Sequence, residues 1–393
     1  MAIHRGWTLA FEAAIVLLLV FVVVMARGDR ALPPGDVVRL VDHTRKVQHL
    51  DTLRASQFVD GQHVRTIVEG DVLRLNDTRK TFPRRGSWTS PVINAAFPMD
   101  ELLPSWNPIC PPDTGVTIEL RVRDRHYGEW SPWLYLGQWG RTQHKVNRAM
   151  SFRFGEVKTD ELILTQPADA YQVRIGFEHY GLTDEMPALR RVSVSYVGPG
   201  SRRPSTDRPL APADWARDLP VPFLPQGDGH PLVTSEICSP TSTAMVMSYR
   251  GVPVGIMDNA LAIYDREHEM FGNWSRAVAR AGEAGLDSYL MHILDWEQAK
   301  AYIARGQPII ASIRFREGTF PSNVMKQTSG PLIVIRGFPP AGGVGARLRR
   351  HAGGRRAAPA RRGDGTVPAA RAGSARRAGR RAVARDAAAR GHA

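Results

Sequence analysis

One cysteine, Cys238, stands where the sequence predicts the start of a helix. Thr241 to Arg250 is free of helix breakers, Ser239 suits the N-cap, Pro240 the first helical turn, and Gly251 the C′ position. Unpaired N–H groups at such a start, together with the macrodipole, favour an anion. A thiolate is an anion, so the placement is expected to lower the thiol pKa and make Cys238 a nucleophile. Gln226 lies upstream in a loop flanked by Pro and Gly. Its side-chain N–H can join the Cys238 backbone N–H in cradling an oxyanion. Read for packing alone, the same cysteine is a small buried hydrophobe.

The pattern Q-x(11)-C-S-P-T-S, followed by Phe271-Gly272-Asn273-Trp274 and by S-G-x-L-I-V-I-R-G-F at 329–338, resembles a bacterial branch of the papain superfamily. That branch is similar to the bacteriocin-processing cysteine peptidases, peptidase family thirty-nine, and the resemblance covers about Asp218 to Phe338. It implies an α+β papain-like domain acting on peptide bonds. It also implies a Cys nucleophile, a Gln in the oxyanion hole, a His base and an Asp or Asn that orients the His. Cys238 and Gln226 match the first two roles. The family motif carries its histidine where this chain has Pro331. Proline has neither a titratable group nor an N–H, so it cannot take the thiol proton, and the chain is expected to be slow or inactive. His230, in the Gln226 loop, and His292, in S-Y-L-M-H-I-L, are the substitute bases; each also reads as a structural histidine.

These residues need elements to position them. The fold class expected is multidomain, an N-terminal all-β sandwich followed by the α+β papain-like domain. Residues 1–30 read as a signal peptide or membrane anchor: Arg5, then the apolar run Ala13 to Ala26, then Arg27. An extracytoplasmic protein, secreted or held by that segment, follows from this reading. Over 51–197 the period is two. Val116, Ile118, Leu120 and Val122 alternate with polar neighbours, as do Tyr171, Val173, Ile175 and Phe177, and Val192, Val194 and Tyr196. The aromatic stretch Trp130 to Trp139 either fills the inter-sheet core or offers rings to a sugar or peptide. The Pro-rich stretch 198–220 reads as a linker. In 221–338, helices are expected after Cys238, near Ser275 to Ala284, and from a capping box of Asp295 and Gln298. Strands are expected at Ile309 to Phe315 and Leu332 to Ile335.

Charge and cysteines narrow the function. The net charge is +14, but Pro339–Ala393 holds fourteen Arg and two Asp, so +12 belongs to that tail and only +2 to the rest. A nucleic-acid partner is therefore not expected of the folded part. The tail is almost all Ala, Arg, Gly and Pro, which cannot build a core. It reads as disordered or as the product of a shifted reading frame, the rival being a genuine Arg-rich tail for acidic polymers. The two cysteines exclude a disulfide-rich scaffold, though a Cys110–Cys238 bridge would be open to an exported chain. No cofactor is expected, and the histidines form no metal motif. The partners expected are a peptide or protein substrate, a cell-envelope polymer, and the membrane if the N-terminal segment is kept.

Overall fold

The structure, a computed structural model, describes residues 20–21, 26–27, 46–79, 81–142, 150–200, 211–233, 236–293, 296–312, 332–338 and 347–349. Two short strands come first, β1 (Val20–Phe21) and β2 (Ala26–Arg27). The rest of the segment expected to be a signal or anchor lies outside the described residues. Among those described, no helix is long and apolar enough to cross a membrane.

A β-rich region follows: β3 (Lys46–Leu53), α1 (Ala55–Phe58), β4 (Gln62–Val64), β5 (Thr66–Glu69), β6 (Val72–Leu75) and β7 (Arg84–Thr89). It continues with β8 (Ile93–Ile109), β9 (Thr114–Asp124), β10 (Leu134–Gly140), β11 (Met150–Phe152), β12 (Gly155–Lys158), β13 (Glu161–His179) and β14 (Ala188–Pro199). The alternation read from sequence decides the faces. Val116, Ile118, Leu120 and Val122 on β9 are buried, as are Tyr171, Val173, Ile175 and Phe177 on β13. They surround Trp88, Trp106 and Tyr196, all essentially without exposed surface. One detail differs from a two-sheet sandwich. Hydrogen bonding joins twelve strands into one nearly closed antiparallel network, ordered β10-β9-β13-β8-β14-β6-β5, with β3 on β14 and β7 on β13. The long strands cause this. β13 pairs with β12 and β8 in its first half and with β9 and β7 in its second, and register shifts around Ala168 mark the irregularity between the halves.

The second region comprises α2 (Pro212–Trp215), a 3₁₀ turn at Gln226–Asp228, α3 (Cys238–Tyr249), α4 (Ile256–Ile263), α5 (Trp274–Glu283) and α6 (Trp296–Ala304). Its strands are β15 (Leu286–Asp287), β16 (His292–Ile293), β17 (Ile309–Ser312), β18 (Leu332–Gly337) and β19 (Arg347–Arg349). The order β17-β18-β19 forms a small antiparallel sheet on which α3 and α6 pack. β19 lies within the Arg-rich tail, the remainder of which is outside the described residues. Asn273 caps α5 by accepting the Arg276 N–H, and Gly285 takes φ +84 just beyond its end. Helix α4 had no counterpart in the sequence reading. Part of the stretch read as a linker is also packed. Trp215 and Leu219 are buried in the second core, and Asp218 pairs with Arg336 at 2.6 Å.

The two regions dock through α5 and the segment after it. Helix α5 lies against β8, with Gly282 so close to Asn107 that a Cβ there would fall 2.6 Å from the Asn107 Cα. Ala279 of α5 joins the first core and Leu103 of β8 the second, and polar bonds complete the contact. Asn107 Nδ2 donates to the Ser288 carbonyl at 2.8 Å, Arg191 pairs with Asp287 at 2.9 Å, and the Trp139 indole donates to Glu283 at 2.9 Å.

Candidate active site around Cys238

Helix α3 begins at Cys238 with Ile237 as N-cap, so the cysteine lies in the first turn and not ahead of it. Ser239, expected as the cap, is instead buried inside the helix, and its hydroxyl has no hydrogen-bond partner. Pro240 falls third, where its missing N–H would be an orphan in any case. Gly251 takes φ +80 at the C′ position, as read from sequence.

Three backbone N–H groups, those of Leu332, Ser239 and Cys238 itself, act to lower the pKa of the Cys238 thiol. Burial is the larger effect and pushes the thiol above its ordinary value. This overturns the expectation of a lowered pKa. The helix-terminus argument counts donors, but here the sulfur has also lost water, half-buried against the second core. Cys110 is likewise a free thiol, its sulfur 3.8 Å from the Trp139 carbonyl, so no Cys110–Cys238 bridge exists.

Two other elements meet α3 at this end. The Leu332 contact sets the first residue of β18 against the cysteine, and the Ser242 hydroxyl donates to the Leu332 carbonyl at 3.5 Å. Residue 331 precedes Leu332 directly; Pro331 itself lies outside the described residues. Gln226 is buried in its 3₁₀ turn, and the Gly229 N–H closes that turn on the Gln226 carbonyl. The turn lies on the residue before the cysteine: a Cβ on Gly229 would meet Ile237 Cδ1 at 2.5 Å. The Gln226 turn and the Cys238 helix start thus meet the head of β18, which is far from them in sequence.

The substitute histidines are engaged elsewhere. His292 is fully buried at the docking surface, its Nδ1 2.9 Å from Ser195 Oγ and its Nε2 2.9 Å from Glu101. His230 is exposed, and its Nδ1 accepts the Leu232 N–H. A histidine that the sequence reading passed over is also held by a carboxylate. His268 Nδ1 lies 2.8 Å from Asp265 Oδ2, which also accepts from Asn273, and this carboxylate raises the imidazole pKa. The D-x-x-H spacing was its only signal. Its turn faces the β-rich region, where Tyr135 and Gln138 donate to Glu267. Glu101, Glu161 and His292 form one cluster with donor atoms within 4.8 Å of one another, and Asp265, Glu267 and His268 another. Both clusters are open to a cation in principle, but in each the imidazole already bonds a carboxylate.

The aromatic stretch divides. Leu134, Leu136 and Trp139 enter the first core. Trp130 and Trp133 lie half-buried outside it, interleaved with arginines of β9 and β13. Arg121 stands 4.7 Å from both rings, Arg174 is 4.3 Å from Trp133, and Arg123 is 5.9 Å from Trp130. The rings that a sugar would stack on are shared with the chain's own guanidinium groups.

Comparison with known proteins agrees with this layout. Residues 47–196 match the family model described as Peptidase C39 N-terminal domain, and residues 218–345 match the model described as Peptidase_C39 like family. No curated protein matches the chain. Among solved structures it is similar to a chain of "Structure of infectious bursal disease virus Gx strain", with 14% identity over 51% of this chain and 56% of that one. The TM-score there is 0.20, too low to bear on the fold. The two family matches cover most of the sequence in the order of its two cores, and together they support a resemblance of the chain to C39-like cysteine peptidases.

Proposed function

We propose that the protein is an exported cysteine-peptidase-like hydrolase whose turnover is throttled at residue 331. The observation that carries the reading is the Leu332 N–H acting on the Cys238 sulfur, which supports a base position at the neighbouring residue of the family motif. The second region is then a papain-like α+β domain. Cys238 attacks the carbonyl carbon of a peptide bond, and the oxyanion that forms takes N–H groups from the helix start and the Gln226 amide. Collapse expels the amine, which needs a proton. Proline at 331 can neither take that proton from the thiol nor return it to the amine, and loss of such a group costs about 10²–10⁴ in rate. Export rests on the N-terminal basic residue and apolar run, cleaved or kept as an anchor.

The raised thiol pKa favours a second reading, a non-catalytic protein that binds peptide or envelope polysaccharide on a degenerate peptidase fold. Hydrolysis of a fluorogenic peptide library by the full chain, Pro331→His and Cys238→Ala separates the two. Slow hydrolysis by the full chain, lost in Cys238→Ala and raised about 10²–10⁴-fold in Pro331→His, supports the hydrolase. No hydrolysis by any of them, with peptide or glycan binding intact, supports the binding protein.

A further inference from the structure

The β-rich region holds a cavity of about 420 Å³ between the end of β6 and the start of β7, beside the loop that leads into β14. Three arginines line it, Arg74, Arg79 and Arg84, with Asp77, Asp184 and Met186. Two of the three are provided for. Arg79 clasps Asp77 through Nε at 2.8 Å and Nη2 at 2.6 Å, and Arg74 is ion-paired with Glu69. Asp77 in turn accepts the backbone N–H groups of Arg79 and Arg85, and the Arg79 guanidinium holds its carboxyl well below the usual carboxylate range.

Arg84 is different. Its side chain is only 9% exposed, its Nε has no hydrogen-bond partner, and Nη1 and Nη2 both reach one oxygen, Asp184 Oδ1, at 3.3 and 3.4 Å. The Asp184 side chain is 97% exposed. An ion pair of that kind contributes little, whereas a buried guanidinium without good acceptors costs much. A planar fork with a free Nε, inside a cavity open to water, fits the two oxygens of a carboxylate.

We propose that this cavity binds the carboxylate of a small monoacid, with Arg84 as its fork. Charge selects the class. With Arg74 committed to Glu69 and Arg79 to Asp77, the Arg84 charge alone is left for a ligand, and a monocarboxylate matches it whereas a phosphate, near −2 at neutral pH, exceeds it. Leu75 and Met186 give the acid's stem an apolar wall, and the volume falls in the range of small-molecule sites. The site is independent of Cys238.

The test is calorimetric titration of the full chain at pH 7 and low salt with N-acetyl-alanyl-alanine, its C-terminal amide, and inorganic phosphate. The free acid is expected to bind, and the amide and phosphate at least about tenfold more weakly, as for loss of a charge-assisted bond. Arg84→Gln is expected to weaken the acid by about 10- to 100-fold. Asp184→Asn removes an exposed competitor for the same fork, so it is expected to tighten binding up to about fivefold without loss of folding. Cys238→Ala leaves the affinity unchanged, which separates this site from the proposed active centre. Absence of saturable binding by the acid overturns the assignment. So does equal binding of the amide, tighter binding of phosphate, or weaker binding in Asp184→Asn, which keeps the test decisive even if Arg84→Gln fails to fold.

Discussion

The thiol of Cys238 titrates in the wrong direction for a free-standing nucleophile, and a single substitution should reverse it. An ordinary cysteine has a pKa near 8.5, so about 3% is thiolate at pH 7. In the native chain burial outweighs the three N–H groups, and the fraction falls below about 3%. Pro331→His adds an imidazole next to Leu332, whose N–H already acts on the sulfur. A thiolate–imidazolium pair there is expected to bring the thiol midpoint below about 7. The assay is the pH dependence of iodoacetamide modification, read at the Cys238 peptide by mass spectrometry. The midpoint is the proper readout and not the rate, because nucleophilicity falls as basicity falls and partly cancels the gain in thiolate. The native midpoint is expected above about 8.5. A native midpoint below 7 refutes the claim that burial wins. An unchanged midpoint in Pro331→His refutes the proposal that residue 331 is the position of the base.

Two further outcomes follow from the docking of the regions. Gly282→Ala sets helix propensity, worth about 1 kcal/mol in favour of Ala, against a Cβ 2.6 Å from the Asn107 backbone. The clash is expected to win by about 1–3 kcal/mol in thermal unfolding, and a neutral or stabilised variant would show that α5 does not sit on β8. Asp160 accepts the N–H groups of Trp274 and Ser275 at the start of α5, yet burial pushes its pKa up to about 6. The native state then holds more protons than the unfolded one between about pH 4 and 6, so Asp160's stabilisation is complete below that window and lost as pH rises through it. Asp160→Asn keeps an acceptor and is expected to flatten stability across the window and raise it at pH 7, by about 3 kcal/mol at most; an unaltered pH profile would sink this.

Local chemistry made much of the fold legible. The β9 and β13 alternations, Gly251 and Gly285 as helix stops, and the strands near 309 and 332 follow from period and backbone preference alone. Helix α4 did not, because its start carries no side-chain cap: Gly255 is the N-cap and no side chain bonds there. The cysteine helix was placed correctly, but its first turn was misjudged. Propensity favours Ser239 as cap, whereas packing of Ile237, with no exposed surface, starts the helix at Cys238. The thiol pKa was misread for the same reason, since a sequence shows donors near a helix start and not the water excluded from it.

The polar residues on the outer faces of the β-rich strands matter most for what comes next. On β14, Ser193 and Ser195 alternate with Val192, Val194 and Tyr196, a pattern that ordinarily means one face in water. Both serines are fully buried: Ser193 accepts from Arg191 at 2.7 Å, and Ser195 holds His292. Arg191 and Asp287, Asn107 and Ser288, and Trp139 and Glu283 extend the same contact. Apart from Arg191 with Ser193, both on β14, these bonds cross between the regions, and separating them would exchange each for bonds to water. The surface that reads as solvent-facing is therefore what fixes α5. Through α3, which packs on α5, it supports the helix that carries Cys238. Activity measured on the second region alone would confound a missing base at 331 with a missing partner for α5. The chain has to be assayed whole.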